Sequence, residues 1–146
     1  MEFQEIKSKL QAVLPFEASL LTLEELALQS SYIPFYGQGE YLFREGDAAL
    51  GFYWILKGEA EVRIPGKKPI HLREGDMAGL DSFLEDAPLP FDILSASNSM
   101  ECLFIDRRCY DRIRAKPKFS RHMNSMVMHC LKNYRNLLIP EEKIYS

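Results

Sequence analysis

A chain of 146 residues, 47% apolar and 27% charged, carries enough material for one folded core and fits two domains poorly. Its net charge of −3 gives no reason to expect a nucleic-acid binder. Three cysteines, Cys102, Cys109 and Cys130, without CxxC spacing, argue against a disulfide framework, a cysteine zinc site and a four-cysteine iron–sulfur cluster. They read as reduced structural thiols.

The acidic, amphipathic start lacks the basic flank and apolar run of a signal peptide. No apolar run reaches the ~18–20 residues that span a bilayer, so a cytoplasmic protein without a membrane partner is expected. Residues 1–30 predict N-terminal helices. Ile6, Leu10, Val13 and Leu14 fall at helical spacing before Pro15, and Thr22, Glu24 and Glu25 resemble a second helix start, with Leu23, Leu26 and Ala27 on its buried side.

Residues 31–106 predict a β-roll. Short apolar stretches alternate with turn signals at Gly37 and Gly39, at Glu45, Gly46 and Asp47, at Lys57 and Gly58, at Pro65 and Gly66, and at Glu74, Gly75 and Asp76. The aromatic and β-branched run from Phe52 to Leu56 predicts a central strand, and the alternation Glu61, Val62, Arg63, Ile64 predicts a half-exposed one.

Residues 107–140 return to helical pattern. A short helix is expected over 107–114, ahead of Pro117, and a longer one over 118–138, ahead of Pro140. On the longer helix Phe119, Met123, Met126, Cys130, Tyr134 and Leu137 step by 4, 3, 4, 4 and 3, close to a heptad seam. Parallel homodimerisation through Phe119, Met123, Met126, Cys130 and Tyr134 is the expectation.

The stretch from Gly39 through Glu45, Gly46, Asp47 and Ala48, then Phe52 to Gly58, then Leu72 to Asp76 and Gly79, resembles cyclic-nucleotide-binding domains. It is most similar to the effector half of catabolite-activator-type bacterial regulators, over roughly residues 15–135. The resemblance implies a mainly β fold with flanking helices: a double-stranded β-helix, or jelly roll, with N-terminal helices and a long C-terminal helix, all one domain. Gly46, Gly58 and Gly75 sit where tight turns need positive φ or close backbone approach. Asp47 and Asp76 are placed to accept backbone N–H bonds beside Glu45 and Glu74.

In the family a cassette after the second Glu-Gly-Asp turn holds the ligand. Its pattern is Gly-Glu, a short helix, then Arg-Ser/Thr-Ala. Laid on this sequence without gaps, Gly79 matches, while Leu80 stands at the glutamate place, Pro90 at the arginine, Phe91 at the hydroxyl and Asp92 at the alanine. Leucine accepts no ribose hydroxyl bond, and proline carries neither charge nor backbone donor. Asp92 repels a phosphate. From Glu74 through Asp106 eight acids stand without one Lys, Arg or His. An arginine from elsewhere, Arg63 or Arg107, is the remaining route to an anion. The expected ligand segment is Gly79, Leu80, Asp81, Ser82, Phe83, Pro90, Phe91 and Asp92. Its apolar members, with Leu84 and Leu89, either line a pocket for an apolar effector or fill the vacated space.

Other chemistry is thinly carried. His71 is the one histidine of the β region, too few for a metal cupin, and His122 and His129 share a helix face at a spacing common by chance. No nucleophile elbow, Walker loop or Cys–His signature is present, so no enzyme, cofactor or metal is expected. Seven bases from Arg107 to Arg121, against Asp106 and Asp111, form a solvated helix face or a basic patch. The family's long helix leads into a DNA-reading domain. Ending at Ser146, this chain has no length for one, and no direct DNA binding is expected. The function implied is a regulatory sensor and dimerisation domain, not gripping cyclic AMP or cyclic GMP in the family manner. A ligand-free interaction module is the alternative, and a true nucleotide binder with a borrowed arginine is a further one.

Overall fold

In a computed structural model, residues 30–115 are described as a continuous stretch, together with Gln4, Glu5, Ser8 and Met128. Apart from those single positions, the expected helices over 1–30 and 118–138 lie outside the described residues. So do the seam residues Phe119, Met123, Met126, Cys130 and Tyr134.

The described chain runs β1 (Ser31–Phe35), β2 (Tyr41–Phe43), β3 (Gly51–Lys57), β4 (Ala60–Arg63), β5 (Ile70–Leu72), β6 (Met77–Ala78), α1 (Leu80–Glu85), β7 (Asp92–Ser95), β8 (Met100–Asp106) and α2 (Arg107–Arg114). The strands form two four-stranded antiparallel sheets, ordered β1-β8-β3-β6 and β2-β7-β4-β5. Successive strands alternate between the sheets over much of the chain, which winds them into a roll.

Alternation along each strand decides what faces inward. The first sheet sends in Phe35, Ile55, Ala78, Met100 and Cys102, and the second Leu42, Phe43, Ala60, Val62, Leu72 and Ile93. Full burial of each large apolar side chain stabilises by about 1.5–3 kcal/mol. The opposite face of the first sheet carries Phe52, Trp54, Leu103 and Ile105, all fully buried. Trp54 satisfies its indole N–H on the Gly75 carbonyl at 3.1 Å. Glu101 also lies on that face. It is buried, accepts the Tyr32 hydroxyl at 2.7 Å and stands 3.9 Å from the Lys57 ammonium.

The two Glu-Gly-Asp turns are built alike. Asp47 accepts the Arg44 N–H at 2.8 Å and returns its own N–H to the Arg44 carbonyl at 3.0 Å. Asp76 does the same with Arg73, at 2.8 and 3.0 Å. The glycine inside each turn has positive φ, 89° at Gly46 and 93° at Gly75. Each glycine N–H then reaches across the roll at 2.8 Å, from Gly46 to the Leu89 carbonyl and from Gly75 to the Ile55 carbonyl. The turns therefore fix both their own strands and a neighbour.

Candidate functional site

The segment between β6 and β7 is the candidate ligand cassette. It begins at Gly79, whose left-handed backbone (φ 83°, ψ 5°) turns the chain from β6 into α1. A Cβ at this position would stand 2.5 Å from Cε2 of Phe43, so the Phe43 ring lies directly against the cassette's first residue. Helix α1 has Asp81 in its first turn and no side-chain cap. Leu80 and Phe83 are fully buried and Ser82 nearly so. The helix ends at Asp86 (φ 53°), where the Asp86 and Ala87 N–H groups close onto the Phe83 and Ser82 carbonyls at 3.3 and 3.0 Å.

The return strand is fastened to the first Glu-Gly-Asp turn. Pro88 bridges Ala48, the Leu89 N–H donates to the Asp47 carbonyl at 2.9 Å, and the Asp92 carboxylate accepts the Glu45 N–H at 2.7 Å. Glu45, Gly46 and Asp47 thus meet the cassette through its backbone. Gly58, Gly75 and Asp76 sit at the other end of β3, where the Gly58 N–H reaches the Glu74 carboxylate at 3.3 Å.

Leu89 pairs with the 46–47 turn. Both backbone polar groups of Leu89 are engaged with that turn, and its side chain is buried at 2% exposure. Pro90 is exposed. Leu89 therefore faces inward beside the 46–47 turn, while Pro90, which the ungapped alignment sets at the arginine place, is turned outward. Phe91 is partly buried against the interior, and Asp81 and Asp92 are partly exposed.

Neither borrowed arginine points inward. Arg63 lies on the outer face of β4, where Val62 faces the core, and its Nε donates to Glu61 at 2.9 Å. Arg107 donates to the Phe83 carbonyl at 2.9 Å and lies 4.0 Å over the Phe83 ring. It holds the C-terminal end of α1, which has no basic residue of its own in the last turn. Sequence reasoning weighed Arg107 as an anion ligand and as part of a basic helix face, not as a cap on α1. The signal for this role was the bare, acidic C-terminus of α1, at Glu85 and Asp86.

Two aromatic groups flank the cassette. On the outer face of the first sheet Phe83 packs edge-on against Phe52 at 5.2 Å and Tyr110 of α2 at 5.4 Å, with Phe52 and Tyr110 6.2 Å apart. Inside the roll Tyr53 is ringed by Phe104 at 4.9 Å, Phe43 at 5.2 Å and Phe35 at 5.9 Å. Burial, reinforced by Cys102, raises the Tyr53 hydroxyl above the ordinary phenol value. Burial and then Glu101 push the Cys102 thiol up to about 12, and burial and then Asp106 do the same for Cys109, partly opposed by Arg112. Both thiols are therefore protonated at neutral pH and poor nucleophiles. Among the described residues no three metal-binding side chains cluster, and no helix is long and apolar enough to cross a membrane.

Two antiparallel sheets rolled around an apolar core, with a short helix between β6 and β7, define a jelly-roll-like β-roll. A family model described as the cyclic nucleotide-binding domain matches residues 34–116, more than half of the chain, and the chain belongs to that family. It is 29% identical over 82 residues to a cGMP-dependent protein kinase of Plasmodium berghei, covering 56% of this chain and 10% of the kinase. It is 33% identical over 90 residues to Rap guanine nucleotide exchange factor 3 of Mus musculus, covering 61% of this chain and 10% of the factor. The chain thus spans about a tenth of these relatives. Its fold is similar to a cyclic nucleotide-binding domain from Methylobacillus flagellatus, with TM-score 0.75 at 19% identity, covering 92% of this chain and 78% of that one.

Proposed function

We propose that this domain is a regulatory sensor that does not hold cyclic AMP or cyclic GMP by the family's anion contacts. It passes a change in its cassette to the helices that follow the roll. The observation that carries the reading is the apolar burial of the cassette: Leu80, Phe83 and Leu89 are buried and uncharged, Leu89 in the interior cluster and Phe83 against Phe52 on the outer face of the first sheet. The two arginines weighed as anion partners are otherwise engaged, Arg63 with Glu61 and Arg107 with the Phe83 carbonyl and ring. The outlet is the contact of Phe83 with Tyr110, since Tyr110 stands at the head of the C-terminal helical region. That region, through Phe119, Met123, Met126, Cys130 and Tyr134, pairs two copies of the chain on this reading.

Titration calorimetry with cyclic AMP and cyclic GMP tests it. The expected result is no saturable heat at millimolar nucleotide, alongside a dimer mass by sedimentation. Micromolar binding lost on Arg63→Ala or Arg107→Ala overturns the first half, and a monomer at high micromolar protein overturns the second.

A further inference from the structure

The cassette's return strand has an outer side that the roll interior does not use. Pro88 and Pro90 flank the buried Leu89 and are both exposed. Pro88 bridges Ala48, so the loop from Ala48 to Leu50 lies alongside. Ala48 is exposed as well. Leu50 is 73% exposed, second only to Tyr36 among the large apolar side chains described. A single exposed leucine is ordinary, but this one stands beside further exposed apolar residues from a second segment.

The backbone holds Leu50 outward. Its N–H closes onto the Ala48 carbonyl at 3.1 Å, a three-residue turn. The next residue, Gly51, is pressed against β8, where an added Cβ would stand 2.5 Å from the Ile105 carbonyl oxygen. Leu50 cannot swing inward without giving up one of these contacts. The return strand is equally fixed. Leu89 commits its N–H and carbonyl to the 46–47 turn, and the prolines beside it have no N–H. This stretch therefore has no backbone donor left for an added strand, and a partner meets it through side chains.

Carboxylates border the apolar residues. Glu45 and Asp47 belong to the adjoining turn, Asp86 lies two residues before Pro88, and Asp92 two beyond Pro90. None of the four forms an ion pair with a described residue. Asp47 and Asp92 accept backbone N–H bonds, which leaves their charge in place. The arginines of this region, Arg44 and Arg107, lie over the rings of Tyr41 and Phe83. An apolar centre with a negative border complements apolar side chains flanked by Lys or Arg.

We infer that the Ala48–Leu50 loop and the Pro88–Pro90 strand form a docking surface for a basic, apolar segment of a partner protein. Leu50 and the two prolines take its apolar side chains, and the bordering carboxylates take its cations. The surface lies outside the roll interior, so it stands whether or not the sensor reading above holds.

The test is fluorescence anisotropy on the full chain, with an amphipathic Leu/Lys peptide as probe and its Leu/Glu counterpart as control. The Leu/Lys peptide is expected to saturate in the submillimolar range and the Leu/Glu peptide to bind at least about tenfold more weakly. Leu50→Ser should weaken the Leu/Lys peptide about tenfold and leave the melting temperature near wild type, because the side chain it removes is exposed. Glu45→Gln with Asp86→Asn should weaken the peptide too, and flatten its salt dependence. Unchanged binding by Leu50→Ser overturns the inference, since the peptide is then held by the chain's general negative charge. Equal binding of the two peptides, or no saturation by the Leu/Lys peptide, overturns it as well.

Discussion

Gly79 joins the roll to its cassette, and replacing it with alanine separates two costs that a second glycine isolates. Gly46 and Gly79 share nearly the same positive φ, 89° and 83°. At Gly46 an added Cβ meets nothing within 4 Å, whereas at Gly79 it stands 2.5 Å from the Phe43 ring. Gly46→Ala therefore carries backbone strain alone, about 1–2 kcal/mol for an L-residue held left-handed. Gly79→Ala carries the same strain plus overpacking. Phe43 is 6% exposed and wedged 5.2 Å from Tyr53, so its ring has little room to yield. Forcing extra volume into such a site costs about 1–3 kcal/mol more. Denaturant midpoints at constant slope measure both variants. The Phe43→Leu background should remove most of the excess, giving a coupling of about 1–3 kcal/mol between positions 43 and 79. If Gly46→Ala and Gly79→Ala cost the same, or if Phe43→Leu leaves the excess intact, the close approach is not what requires glycine at 79.

Arg107→Ala removes a charged hydrogen bond and a ring contact from the exposed end of α1. About 1–2 kcal/mol and several degrees of melting temperature should be lost, with Arg107→Lys in between because it keeps the charge without the planar stack; unchanged melting for both would refute the capping role. Stability should also fall in alkali. Cys102 and Cys109 rise from 9.0 to about 12 on folding, so their contribution is complete below pH 9 and is lost as pH climbs toward 12. Denaturant midpoints at neutral pH and at pH 10 measure this, and the alkaline loss should shrink in Cys102→Ala; a flat profile would contradict it.

Much of the roll was legible because its signals are local. Glu-Gly-Asp turns need only the residues they contain, so Gly46 and Gly75 marked strand ends that the structure keeps. The alternation in β4 and the density of Phe52–Leu56 pointed to a half-exposed and a central strand for the same reason. The short helix over Arg107–Arg114 lies where the pattern put it. The cassette was harder. Whether Leu89 or Pro90 faces inward depends on how the return strand pairs with Asp47, a contact forty-two residues away in sequence. No periodicity reports such pairing, and a shift of one residue swaps the inward side chain for its neighbour. Arg107 was hidden for a related reason: its partner is a backbone carbonyl, which leaves no trace in side-chain chemistry.

The anchoring of the cassette limits how it can move. Its first residue is pressed against Phe43, and its last part is hydrogen-bonded to the 44–48 turn from Leu89 to Asp92. Both ends are thus tied to the second sheet or its turns. The middle, α1, has a different attachment: Phe83 and its carbonyl hold to Phe52, Tyr110 and Arg107. A segment pinned at both ends transmits displacement through its middle, and here the middle touches α2. Phe43 completes the connection, because one ring contacts both Tyr53 in the interior and Gly79 at the cassette's start. On the sensor reading, a ligand that shifts Phe43 acts on α1 at its first residue. The response then leaves through Phe83 and Tyr110, with no need for an anion or an arginine in the cassette.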